Sequence, residues 1–321
     1  MSSVSLERRL RAGEFAVTAE ITPPLSTDPK DVLDLALPLQ GLADAANVTD
    51  GASARAHLDV LTAASIVQRA GVDPVLQLTC RDRNRIALQS MLVGAAALGL
   101  RNILVLRGDN PEAGDQPDAK PVFDMDSNTL LSTAVAIRDR GQLPHGREVA
   151  GGHAEFFLGA ADMPIDPAPG WRPDGLLRKL QAGAQFVQTQ FCMDPAVVRR
   201  YIERLREYQL TERLYILIGL APLTSARSAR WIREHLYGSI IPEALIGRLE
   251  AAADQRLEGQ RVCVELMQQL QQIPGVAGVH LMAPLNPGAL PAVIREFRER
   301  ASSRFAGHSA RTHNPTPEEA R

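Results

Sequence analysis

Eight short, largely apolar runs recur along the chain, most of them followed by stretches whose apolar residues return at helical spacing, and this alternation narrows the possible folds sharply. The runs cover residues 15–22, 45–50, 74–79, 102–108, 155–160, 186–191, 215–220 and 279–284. Several are apolar almost throughout, as parallel strands covered on both faces should be. Intervening stretches such as 31–42 and 85–100 read as helices. Strands that alternate with helices pair in parallel through right-handed crossovers. Eight such units predict closure into an α/β (β/α)8 TIM barrel, a single domain with extra helical insertions. A doubly wound open sheet is the alternative, but no Gly-rich dinucleotide turn follows the first run.

The barrel is expected to occupy residues 1–300. From Ala301 the composition shifts to Ser, Arg, His, Pro and Glu, which predicts a disordered C-terminal tail over 301–321. Residues 234–254 read as an additional helical element. The segments 110–120 and 162–174, rich in Pro, Gly and Asp, follow the fourth and fifth runs at the end of a barrel where ligands are handled.

Charge excludes several functions. Lys plus Arg number 35 against 37 Asp plus Glu, a net of −2, so there is no electrostatic footprint for nucleic acid or an anionic membrane. The first ten residues carry charge and no apolar h-region, and residues 91–100 are too short to span a bilayer. Cys80, Cys192 and Cys263 are scattered and odd in number, which fits reduced thiols in a cytoplasmic protein. The seven histidines show no ligand spacing, so no metal is expected. His280, within the last run, reads as a satisfied core histidine, and Cys80 has no His partner in sequence. The pattern assigns no oligomeric state.

Polar residues gather where the runs end. Glu20 closes the first, Thr49 and Asp50 the second, Gln77 and Thr79 the third, and Arg107, Gly108 and Asp109 the fourth. In a closed barrel these positions converge on one mouth. Glu20, flanked by Ala19, Ile21 and Pro23, would be partly desolvated and suited to work as a general acid, or else be held by an arginine such as Arg107. Gly108 would let backbone approach a planar ligand and Asp109 would offer an acceptor, unless Gly-Asp-Asn-Pro is only a turn. Gln188 and Gln190 share one side of the sixth run. If that side is the interior, a heterocyclic ligand is one source of partners for the two amides.

In order along the chain, Glu20 with Pro23-Pro24, Val48-Thr49-Asp50-Gly51-Ala52, Leu78-Thr79-Cys80, Leu106-Arg107-Gly108-Asp109, Ala182-Gly183-Ala184, Thr189-Gln190-Phe191, Gly219 with Pro222, and Leu285-Asn286 resemble the methylenetetrahydrofolate reductase family. The resemblance implies reduction of 5,10-methylenetetrahydrofolate to 5-methyltetrahydrofolate, or the reverse, with hydride passing from NADH or NADPH through FAD. It casts Glu20 as general acid, Asp109 as the carboxylate between flavin and pterin, and Gln190 as a folate contact. Thr49, Gln77, Arg107, Gly108, Asp109, Ala160, Arg178 and Lys179 match cofactor-contacting positions, the last two meeting phosphate. The departures fall mostly on the cofactor side. Gln77 stands where the family has His, Asp162 where it often has Tyr, Ala226 for Phe, Pro287 for Arg, and Arg172 and Gly175 for Asp and Asn. They leave open a direct hydride transfer from nicotinamide to folate. A folate- or corrinoid-linked methyl-transfer enzyme and a non-catalytic folate-binding subunit are the other readings.

Overall fold

The computed structural model describes residues 5–151, 153–284 and 286–309. Its eight strands form one closed, all-parallel barrel in sequence order, with the last strand paired to the first. They are β1 (Ala16–Ile21), β2 (Ala45–Val48), β3 (Pro74–Thr79), β4 (Asn102–Leu106), β5 (Phe157–Asp162), β6 (Phe186–Phe191), β7 (Tyr215–Leu220) and β8 (Val276–Leu281). The helices are α1 (Leu6–Arg11), α2 (Pro29–Ala36), α3 (Val60–Arg69), α4 (Arg85–Ala97), α5 (Ser127–Arg140), α6 (Asp174–Gln181), α7 (Pro195–Glu207), α8 (Ala226–His235), α9 (Glu243–Ala251), α10 (Gln255–Leu270) and α11 (Leu290–Ser309).

The expected TIM barrel is therefore present, with differences at its edges. The fifth strand runs two residues further than expected, so Asp162 sits on it and not in the following loop. The eighth begins at Val276, three residues early, where Ala277 and Gly278 carry little strand signal and the register with β7 shifts. The extra element in 234–254 is α9, one of three helices between β7 and β8. The tail expected from Ala301 does not begin there, because α11 continues to Ser309; residues 310–321 lie outside the described residues.

The alternation of the strands divides the core in two. One set of side chains packs outward beneath the helices, including Val17, Val48, Leu76, Leu78, Val105, Leu158 and Ala160. The other fills the N-terminal half of the lumen: Ala16, Ala45, Val75, Leu104, Phe157, Phe186 and Leu217, closed from below by Leu6 and Leu10 of α1. Phe157 and Phe186 stack there with ring centroids 4.9 Å apart. Gly159 is required beside them, since a Cβ would come within 2.3 Å of the Phe186 ring. Two positions further along β1, β2, β3 and β6 the lumen turns polar, at Thr18, Asn47, Gln77 and Gln188.

Candidate active site

The first polar layer is a continuous hydrogen-bonded chain across the barrel. Asn47 and Gln188 exchange amide bonds, with Gln188 Nε2 3.0 Å from Asn47 Oδ1. Gln188 Nε2 also donates to Thr18 Oγ1 at 3.0 Å, and Thr18 Oγ1 lies 3.0 Å from Nδ1 of His280. All four residues are buried, at 3% exposure or less. Gln188 therefore finds its partners inside the protein and needs no ligand, contrary to one expectation from its position. The far nitrogen of His280, Nε2, lies 3.8 Å from Oε2 of Glu20.

Glu20 lies just above this chain, facing its His280 end without a hydrogen bond. Its side chain is 18% exposed and borders a cavity of about 170 Å³ between the C-terminal ends of β1 and β8, with Leu35 and Pro38 on the α2 side and Pro284 and Pro287 opposite. Arg107 is not its partner; the guanidinium carbon lies 4.8 Å from the Phe123 ring centroid and the side chain is exposed. His280 is buried and hydrogen-bonded, as expected of a core histidine, and its second nitrogen faces Glu20. Its partners stand up to 262 positions away, so no local pattern reveals them.

A second group ties together the ends of β2, β3 and β4. Asp50, 6% exposed, accepts from Thr79 N and Oγ1, both at 2.9 Å, and from both terminal nitrogens of Arg83 at 2.7 and 3.1 Å. Arg81, 3% exposed, donates to the Gly51 carbonyl at 3.1 Å and the Asp109 carbonyl at 3.4 Å. Gly108 has φ +89°, and a Cβ there would meet Arg81 Cβ at 2.9 Å, so only glycine lets this arginine pass. Two polar groups at this end lack partners. Thr49 Oγ1 is buried without a hydrogen bond, and Gln77, 6% exposed, makes no side-chain hydrogen bond to a described residue.

The remaining expected residues are dispersed. The Ala160 methyl packs outward, so only its backbone belongs to the barrel wall. Gln190 folds its amide back, accepting from Phe191 N at 3.0 Å and donating to the Tyr237 carbonyl at 3.4 Å. Asp109 and Arg178 are exposed. Lys179 is engaged by the Ala161 carbonyl and by Asp162 Oδ1 at 3.1 Å, and Asp162 also accepts from the Tyr201 hydroxyl. Burial, and then the Asp162 carboxylate, hold the Tyr201 phenol well above its ordinary range, so it remains a donor.

The thiols are not nucleophiles. Burial pushes Cys80 up to about 11 and Cys192 and Cys263 up to about 12. Among the described residues no group of three His, Cys, Asp or Glu is placed to hold a metal ion, and no helix is long and apolar enough to cross a membrane.

These features define a (β/α)8 barrel whose C-terminal mouth carries a recessed carboxyl on the first strand and a polar-lined rim on the next three. The family model for methylenetetrahydrofolate reductase matches residues 5–297, and the chain belongs to that family. A Caenorhabditis elegans protein named as a probable methylenetetrahydrofolate reductase (NADPH) is 27% identical over 243 residues, 73% of this chain and 34% of that one. The 5,10-methylenetetrahydrofolate reductase of Pectobacterium carotovorum subsp. carotovorum is 29% identical over 199 residues, 60% of this chain and 59% of its own length. This chain's match thus spans about a third of the nematode relative's length and under two thirds of the bacterial one. Among solved structures, an uncharacterized Clostridium thermocellum protein, described as binding two copies of 5-methyl-5,6,7,8-tetrahydrofolic acid, superposes with a TM-score of 0.65. The superposition covers 92% of this chain and 99% of that one at 12% identity, a likeness of fold.

Proposed function

We propose that this barrel interconverts 5,10-methylenetetrahydrofolate and 5-methyltetrahydrofolate, with NADH or NADPH as the hydride source and Glu20 as the general acid. The observation that carries the reading is the Glu20 carboxyl, recessed at the end of β1 beside an apolar-walled cavity and faced by His280 Nε2 at 3.8 Å. In the reducing direction the Glu20 proton passes to N10 of the folate. The five-membered ring then opens to an iminium at N5, and hydride delivered to its carbon completes the methyl group. A carboxyl recessed beside the cavity suits this because proton donation is needed at one atom only. Gln190 and Asp109 are proposed as pterin contacts.

A planar ligand with polar edges would suit the rim, since Thr49 Oγ1 is buried without a partner and the Gln77 amide makes no side-chain hydrogen bond to a described residue. FAD would sit there, with Arg107 and Arg178 near its phosphates, and would supply a hydride relay between nicotinamide and folate. The engagement of Lys179 by Asp162 removes one cation from phosphate binding and favours, as a second reading, hydride transfer straight from nicotinamide. The three free, buried cysteines agree with a cytoplasmic setting.

An absorbance spectrum of the purified chain, followed by NADH and NADPH oxidation with 5,10-methylenetetrahydrofolate with and without FAD, tests these statements. Flavin absorbance with FAD-dependent turnover is the expected result; turnover without flavin selects the direct route. Absence of turnover under every condition would refute the reductase reading. Glu20→Gln is expected to lower kcat by roughly 10²–10⁴-fold while leaving the fold intact.

A further inference from the structure

We propose that His280 is a positioning residue for Glu20, its ring held with the proton on Nε2 by the hydrogen-bonded chain that runs from Asn47 through Gln188 and Thr18. The proposal rests on the reading of Glu20 as a proton donor and assigns that carboxyl a partner on the opposite side of the β1–β8 seam.

The argument is one of counting hydrogens. Gln188 Nε2 has two, and its two acceptors are Asn47 Oδ1 and Thr18 Oγ1, each at 3.0 Å. Thr18 Oγ1 therefore accepts from Gln188 and has a single hydrogen to give. Its candidates are His280 Nδ1 at 3.0 Å and the Val279 carbonyl at 3.4 Å; we assign it to Nδ1, the shorter contact, over the arrangement in which Nδ1–H donates to the second lone pair of Oγ1 and the hydroxyl turns to Val279. With Nδ1 accepting, a neutral imidazole carries its proton on Nε2, the nitrogen that faces Glu20 Oε2. The ring is 3% exposed, so it cannot turn to solvent to escape the assignment.

At 3.8 Å the Nε2–Oε2 separation is longer than a hydrogen bond, as catalytic contacts without substrate often are. When Glu20 gives its proton to the substrate nitrogen, the carboxylate that remains receives the Nε2–H. His280 neither gains nor loses a proton; it orients one oxygen of Glu20 and stabilises its ionised state. The other titratable group at the cavity is Asp34 of α2, which is itself paired with Lys30.

The test uses the full chain, labelled with ¹⁵N at histidine and ¹³C at the glutamate carboxyl. The His280 ring signals, assigned by their loss in His280→Asn, are expected to show the Nε2–H tautomer in the unaltered protein. In Thr18→Val, which removes the hydroxyl with little change of shape, the tautomer preference should weaken. The Glu20 carboxyl titration, assigned with Glu20→Gln, should move to higher pH in His280→Asn, because the ring donor facing the carboxylate is removed. If the reductase reading holds, kcat in Thr18→Val falls about ten-fold with little change in KM, and the pH profile moves with the titration. An Nδ1–H tautomer, or Glu20 titrations that superimpose in the unaltered and His280→Asn chains, would overturn the proposal. A protein inactive toward methylenetetrahydrofolate overturns the assigned reaction instead, and the two spectroscopic readouts still decide the role of His280.

Discussion

Asp50 shows how one carboxylate is made compatible with burial. Four donors reach its two oxygens, two from Thr79 and two from Arg83, so the charge is compensated within hydrogen-bonding distance. Thr79→Val keeps the volume and removes one of those donors. It should destabilise the protein by about 2 kcal/mol, because a hydrogen bond to a charged buried group is lost, and urea unfolding would measure it. The same Asp50–Thr79 bonds hold β2 against β3 beside Thr49 and Gln77, so the variant should also weaken any ligand bound at that rim. The cysteines give a separate residue-scale expectation. With all three buried and pushed up to about 11 or 12, none should react with an aromatic disulfide reagent in the native state at pH 8. All three should react once the chain is unfolded, and fast labelling of any one of them in native protein would contradict the burial described.

Among the elements, α5 is the one that follows the long mouth loop, and its start depends on a single cap. Asp126 Oδ1 accepts from Thr129 N at 2.7 Å. Hydrogen bonds from the Thr129 side chain and backbone hold the Asp126 carboxyl below its usual range. A carboxyl lowered in the folded state contributes stability above its unfolded range and loses it as pH falls. Asp126→Ala should therefore cost about 1 kcal/mol at neutral pH, and the difference from the unaltered protein should shrink in acid; Asp126→Asn should cost less and show little of that acid dependence. Denaturant midpoints at pH 7 and at about pH 2, below the ordinary carboxylate range, would check both. The bounds of β3, β6 and β7 are legible in the sequence, as runs of apolar and β-branched residues. Legibility fades where composition is ambiguous, as in the Ala277-Gly278 start of β8. It is lost where a residue's role depends on closure: Thr18, Asn47, Gln188 and His280 read as isolated polar intrusions until β1, β2, β6 and β8 are wrapped around one axis. The convergence of Glu20, Thr49, Gln77 and Gly108 on one mouth followed from topology, whereas the engagement of Lys179 by Asp162 depends on side-chain geometry that spacing does not encode.

The whole barrel is polarised along its axis, and this separates what keeps it folded from what its mouth does. Its N-terminal half is a dry plug, with Phe157 on Phe186 and Leu6 and Leu10 of α1 sealing the opening. The hydrogen-bonded layer lies above it, and Glu20 lies above that. Polar groups so deep are tolerated because each finds a partner within the layer, while the plug beneath excludes competing water. Damage to the plug should then lower stability without altering the site. Leu10, 2% exposed, is the place to make it. Leu10→Ala leaves a cavity at the closed end and should cost about 3 kcal/mol. The urea midpoint should fall with an unchanged slope, while the Glu20 titration and the His280 tautomer stay as they are in the unaltered protein. A shift in either signal would mean that the closed end is coupled to the mouth through the lumen, and that the polar layer transmits strain instead of insulating the site from it.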